Sequence, residues 1–143
     1  MASRSQQQQR PATSVFVYGT LKRGQCRERC WPRRPTRIEL ATIVGQLYDL
    51  GHYPAWIPGE GRVEGELWSF HEADLPATLR ELDAIEGYAQ KPTDLYRRVV
   101  IECTTFSGEE AWAFTYQYIR TGRLDDRLQI PPDSNGLARW PVM

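Results

Sequence analysis

Histidine is almost missing from this sequence: His52 and His71 are the only two in 143 residues. A Ser-His-Asp or Cys-His hydrolase needs a base beside its nucleophile, and two isolated histidines argue against both. Cysteine is scarce too. Cys26, Cys30 and Cys103 make an odd count in a chain whose start, Met1 to Arg10, lacks the apolar core of a secretory signal, so free thiols are expected rather than a disulfide framework. Cys26 and Cys30 resemble half of a zinc site, but no second Cys or His pair stands at ligand spacing, and no metal is expected. Net charge is absent, with 18 Lys plus Arg against 18 Asp plus Glu. No long-range field therefore draws in nucleic acid or an anionic membrane. No apolar run approaches the roughly 20 residues of a membrane span. What remains is a cytoplasmic protein with a small-molecule partner, long enough to bury one core without staples. The sequence does not indicate an oligomeric state.

Long helices are also lacking. Residues 1–13, with Gln6 to Gln9 between Arg4 and Arg10, have no periodicity and are predicted to form a disordered tail, leaving 14–143 as a single domain. Order begins at Ser14 to Tyr18, a short β-rich run that stops at Gly19. Gly24 to Pro35, rich in arginine, suits an irregular excursion or a short helical turn. Ile38 to Leu50 predicts a strand, Gly51 to Gly61 a turn-prone stretch, and Gly61 to Phe70 another strand in which Trp68 can lie on either face. Tyr96 to Thr104 and Glu110 to Ile119 alternate like strands, joined by a hairpin at Ser107-Gly108-Glu109. After Arg120 the composition favours loop, with one more strand ending at Trp140. One helix over 75–86 sits between these groups, capped by Asp74 and stopped by Gly87. Strands on both sides of one helix, without βαβ alternation, predict an α+β domain built on a mixed or antiparallel sheet curled around a core.

The helix carries the first candidate for chemistry. At about 100° per residue, Glu86 falls within about 40° of Leu75, Leu79 and Leu82, inside the apolar stripe. Burial and the negative end of the helix dipole both disfavour its ionised form, which predicts a raised pKa and a group able to accept and donate a proton near neutrality. The alternative is a helix end turned outward, with Glu86 in solvent or paired with Arg97 or Arg98. Asp83, at the stripe's edge, and Glu81, on the opposite face, are expected to be solvated. The second candidate is the turn Tyr18-Gly19-Thr20-Leu21 directly after the first strand. Glycine there lets successive amides converge on an anionic group, although many strand-Gly turns do no more than reverse the chain. The spacing of a phosphate loop is absent.

The stretch from Val15 to Gly24, Val-Phe-Val-Tyr-Gly-Thr-Leu-Lys-Arg-Gly, resembles the opening signature of the γ-glutamylcyclotransferase and AIG2-like family. It is especially similar to the γ-glutamylamine cyclotransferases. Tyr53-Pro54-Ala55, Val63 to Trp68, Leu82 to Gly87 and Tyr96 to Val99 resemble that family's later blocks in the same order. The resemblance covers residues 15 to about 118 and leaves Arg27 to Arg37 and the charged C-terminal tail unmatched. It implies a small β-barrel flanked by short helices. By position, it implies Glu86 as the catalytic acid/base, Tyr18, Gly19, Thr20 and Leu21 as substrate-binding residues, and Tyr96 beside them or in the barrel core. Neither metal nor cofactor is implied.

The implied activity is cyclisation of the γ-glutamyl group of γ-glutamyl amines or amino acids to 5-oxoproline with release of the amine. The attacking amine and its target are already tethered, so no protein nucleophile is needed. A non-catalytic carboxylate-binding module on the same fold is the main alternative, and an amide hydrolase a third.

Overall fold

Alternation along a strand sends neighbouring side chains to opposite faces, and in this sheet each face contributes to a buried apolar cluster. The computed structural model describes residues 12–142. Most of the expected N-terminal tail lies outside them; Ala12 is buried, and the Thr13 carbonyl accepts a hydrogen bond from the Phe70 amide. The elements run β1 (Ser14–Val17), β2 (Arg37–Asp49), β3 (Pro54–Ser69), α1 (Leu75–Glu86), β4 (Tyr96–Thr105), β5 (Glu110–Tyr118) and β6 (Leu137–Ala138). Strand order is β1-β5-β4-β2-β3-β6, and β1 also pairs with β3. That extra pairing closes five strands into a barrel and leaves β6 outside the ring. The barrel is mixed, because β1 runs antiparallel to β3 and parallel to β5.

Two apolar clusters follow from the alternation. Phe16 and Tyr18 of the first strand segment, Ala41, Ile43 and Leu47 of β2, Val63 and Leu67 of β3, Cys103 of β4 and Ala113 of β5 share one cluster, to which every barrel strand contributes. This is the barrel interior. Val15 and Val17 point the other way and join Trp68, Phe70, Tyr96, Tyr116 and Tyr118 in a second cluster. The stripe of α1 supplies the rest: Leu75, Leu79 and Leu82 are buried in it. The arginine-rich excursion crosses the same side, and Trp31 stacks on Trp68 with ring centroids 4.3 Å apart and planes within 5°. The stack settles which face Trp68 occupies.

Two expectations fail for identifiable reasons. Residues 54–61, read as part of a turn, belong to β3, which pairs with β2 from Asp49↔Pro54 through Gln46↔Ile57 and resumes at Val44↔Arg62. Pro54 is the first residue of its strand, and Pro58 to Gly61 sit where the register shifts near Gly45, the two places where a sheet tolerates such residues. Asp74 makes no side-chain cap. It lies in a 3₁₀ turn, Glu72–Asp74, that runs directly into α1, and its carboxylate instead approaches the Arg33 guanidinium at 3.7 Å.

The C-terminus of α1 does follow its sequence signal. Gly87 adopts the left-handed conformation, φ 68° and ψ 28°, and the Tyr88 amide returns to the Asp83 carbonyl at 2.8 Å. The helix therefore stops with Glu86 as its last residue. Leu82 is completely buried between α1 and the barrel. Leu82→Ala should lower the free energy of unfolding by about 2–5 kcal/mol, read from the denaturant midpoint. A loss below about 1 kcal/mol would mean that the helix is not packed as described.

Candidate active site

A cavity of about 300 Å³ opens where the turn after β1, the start of β3, the end of α1 and the start of β4 meet. Tyr18, Gly19, Thr20, Leu21, Glu86 and Tyr96, the six residues singled out in the sequence, all line it. Pro54, Tyr53, Thr115, Tyr116 and Arg27 complete much of the wall. Most of the enclosing side chains are apolar or aromatic, which makes any polar group on the wall count for more than it would in water.

Glu86 is the acidic residue on that wall. It is half-buried, and desolvation pushes its carboxyl up to about 7, against the opposing pull of the Arg27 charge. Neither Arg97 nor Arg98 pairs with it. Arg98 instead donates to the Asp83 carboxylate at 2.7 Å, and the Tyr116 hydroxyl donates to the other Asp83 oxygen at 2.6 Å. Asp83 was expected in solvent; its position three residues before Glu86 puts it against β4 and β5, where two donors hold it. This arrangement ties the last turn of α1 to the barrel.

The turn is fixed from below and from the side. Glu66, nearly buried on β3, accepts from the Arg23 amide at 2.9 Å and from the Arg23 side chain at 3.0 Å. Its first oxygen also accepts from the Trp68 indole at 3.1 Å. The Lys22 amide donates to the Gly19 carbonyl at 3.1 Å, and the Arg27 amide to the Thr20 carbonyl at 2.9 Å. Among the described residues, the amides of Gly19, Thr20 and Leu21 have no acceptor. Three consecutive donors without acceptors on a largely apolar wall are hydrogen bonds that an anion can accept. Gly19 permits the turn by close approach: a Cβ there would lie 2.7 Å from the Pro54 ring.

Pro54 is held in turn by Tyr96, whose hydroxyl donates to the Pro54 carbonyl at 2.7 Å. Tyr96 therefore frames the cavity from the helix-side cluster rather than filling the barrel interior, its ring edge-on to Tyr118 with centroids 5.4 Å apart. The Tyr18 hydroxyl donates to the Tyr116 carbonyl. Burial above all, then the Glu86 charge, raises the Tyr18 pKa well above its ordinary value; burial likewise raises that of Tyr96. Both phenols stay neutral.

Glu66 and Asp83 were not found from the sequence. Glu66 has a weak signal there, an acidic residue two positions before Trp68 and so on the same strand face. Asp83 has only its place at the stripe's edge.

The chain is similar to several known proteins. A family model described as gamma-glutamyl cyclotransferase, AIG2-like, matches residues 15–135. The chain is 34% identical over 103 residues to a gamma-glutamylcyclotransferase family protein of Escherichia coli (strain K12), spanning 72% of this chain and 81% of that one. It is 31% identical over 119 residues to the gamma-L-glutamyl-butirosin B gamma-glutamyl cyclotransferase of Niallia circulans, spanning 80% and 72%. Among solved structures, an Arabidopsis thaliana protein superposes with TM-score 0.60 at 27% identity, over 80% of this chain and 72% of that one. A mouse AIG2-like protein shares the fold with TM-score 0.63 at 23% identity, over 93% and 98%.

Two predictions follow from the wall of this cavity. Glu86 has a folded-state value near 7 against an ordinary 4.5, so the stability present below about pH 4.5 is lost as pH rises toward 7. Glu86→Gln removes that loss: thermal melts should show the variant more stable than the parent at pH 8, by about 2 kcal/mol after allowance for the open cavity mouth, and level with it at pH 4. Parallel stability curves for the two proteins would refute the buried carboxyl. Gly19→Ala forces the turn or Pro54 to move, and should lower the melting temperature as an overpacking cost of about 1–3 kcal/mol.

Proposed function

Since the chain belongs to the gamma-glutamyl cyclotransferase, AIG2-like family, we propose that it cyclises γ-glutamyl compounds to 5-oxoproline with Glu86 as general acid/base. The observation that carries this reading is a carboxyl raised to about 7 in the same cavity as three amides without acceptors among the described residues.

The substrate's α-carboxylate fits the amides of Gly19, Thr20 and Leu21, whose partial positive charges are fixed by the Glu66 clamp before any ligand arrives. Held there, the γ-glutamyl chain folds so that its α-amino nitrogen reaches its own γ-carbonyl carbon. The reacting atoms belong to one molecule, and the enzyme's first contribution is to select the conformer in which they meet. A new C–N bond closes the five-membered ring while ionised Glu86 takes a proton from the attacking nitrogen. The γ-carbonyl oxygen gains negative charge in the tetrahedral intermediate, and wall donors offset it. Protonated Glu86 then delivers its proton to the departing nitrogen as the original amide C–N bond breaks. The products are 5-oxoproline and a free amine or amino acid. Water is neither consumed nor released, and Glu86 ends as it began.

A carboxyl that titrates near 7 is suited to both halves of this cycle, because neither proton transfer is far from thermoneutral; such assistance typically contributes 10² to 10⁴ in rate. Tyr18 and Tyr96 shape the cavity and keep it dry beside Glu86. No protein nucleophile takes part, in keeping with the few histidines, and the scheme assigns no role to a metal. Turnover should therefore survive dialysis against a chelator.

The decisive experiment is incubation of Glu86→Gln with a panel of γ-glutamyl amines and γ-glutamyl amino acids, scored by mass for 5-oxoproline. The variant should lose at least about a hundredfold in kcat while still binding substrate. Near-normal turnover would reject Glu86, binding without product in the parent protein would mark a binding module, and free glutamate in place of 5-oxoproline would mark a hydrolase. For the parent, kcat/KM should rise with pH along a limb centred near 7, as the ionised form of Glu86 accumulates.

A further inference from the structure

Arg27 belongs to the arginine-rich excursion that has no counterpart in the sequence resemblance, yet it lines the cavity. Its backbone amide is tied to the Thr20 carbonyl at 2.9 Å, and its guanidinium reaches the Ile85 carbonyl at 3.5 Å. It is thus bracketed between the anion-binding turn and the residue before Glu86. A cation near the C-terminus of a helix is favourable in itself. Arg27 has more to it than that. Among the described residues, no carboxylate lies within ion-pairing distance of it, although Arg23, Arg33, Arg37, Arg98, Arg127 and Arg139 all have such a partner. Its charge is nevertheless felt at Glu86, and both residues line the same cavity.

Resting on the reaction proposed above, we infer that Arg27 is a specificity-determining residue that receives a carboxylate on the departing group, making γ-glutamyl amino acids rather than γ-glutamyl amines the substrate class. Chemistry fixes where that carboxylate must be. The departing nitrogen has to lie beside Glu86 to collect its proton, and in an α-amino acid the carboxylate carbon is two bonds from that nitrogen. A group so placed falls in the space between Glu86 and Arg27. The guanidinium fork matches a carboxylate with two parallel donors. An alkylamine leaves the same fork facing solvent and gains nothing from it. Two carboxylates on one substrate are then read by two different devices, the turn amides at the γ-glutamyl end and the Arg27 side chain at the other.

The test compares γ-glutamyl-alanine with γ-glutamyl-ethylamine, two substrates that differ only by that carboxylate, in the parent protein and in Arg27→Gln and Arg27→Lys. The parent should favour γ-glutamyl-alanine by about tenfold in kcat/KM, mostly through KM, as expected for one charge-assisted contact at a partly open site. Arg27→Gln should bring the ratio close to one, and Arg27→Lys should restore part of it. Equal use of the two substrates by the parent, or an undiminished ratio in Arg27→Gln, would overturn the assignment of Arg27 while leaving the cyclotransferase reading intact. Absence of 5-oxoproline from both substrates would remove the reaction itself, and with it this inference.

Discussion

One carboxyl group half-removed from bulk water, without an ion-pair partner among the described residues, is the constraint on which this site depends. Glu86 could have formed an ordinary surface ion pair with β4, and its pKa would then have fallen into the usual carboxylate range. It does not: Arg98 donates to Asp83, whose other oxygen accepts from the Tyr116 hydroxyl. The pair is half-buried, with side-chain exposures of 27% and 22%, so its attraction is not fully screened. What matters more than its energy is its position. By pinning the last helical turn to β4 and β5, it fixes where Glu86, the final residue of that turn, can go.

The opposite wall obeys a different economy. Helix termini and sheet edges usually satisfy their amides locally; the turn after β1 leaves three without acceptors among the described residues. Such a turn would collapse or hydrate if it were free to move. Glu66 prevents that by gripping Arg23 through both main chain and side chain, and the indole of Trp68, stacked on Trp31, donates to the same carboxylate. Pro54 then sets the closest approach from β3, a distance only glycine at position 19 can accommodate. The turn after β1 is thus anchored by a buried acid and the end of α1 by a half-buried ion pair, and both border one cavity.

Barrel closure is what brings those pieces together. β1 lies between β3 and β5, so the turn that follows it emerges beside Pro54 and Thr115. The β2–β3 hairpin is long, extending to Asp49↔Pro54, and its far end forms the cavity rim. Had residues 54–61 remained a loop, the ring of Pro54 would not be fixed against Gly19 and the Tyr96 hydroxyl would lack its acceptor. The register shift at Gly45 lets proline and glycine remain in a paired strand, which is why their composition misleads when read alone.

The local features of this protein were determined by the sequence itself: the alternation in β2, β4 and β5, the helix with its stripe of Leu75, Leu79 and Leu82, and the stop at Gly87. Each depends on neighbours within a few residues, where period and propensity act directly. The ordered blocks from Val15 to Val99 added the family and its barrel. Tertiary structure alone decided the ion pairing. Whether Arg98 meets Asp83 or Glu86 depends on where β4 passes the helix end, and whether Glu66 clamps Arg23 depends on an approach across 43 positions of chain. The same holds for Arg27, whose surroundings in sequence are merely basic; only the fold sets it at the cavity, between a turn and a helix end that are far apart along the chain, because long-range packing and not local pattern fixes which charges face one another.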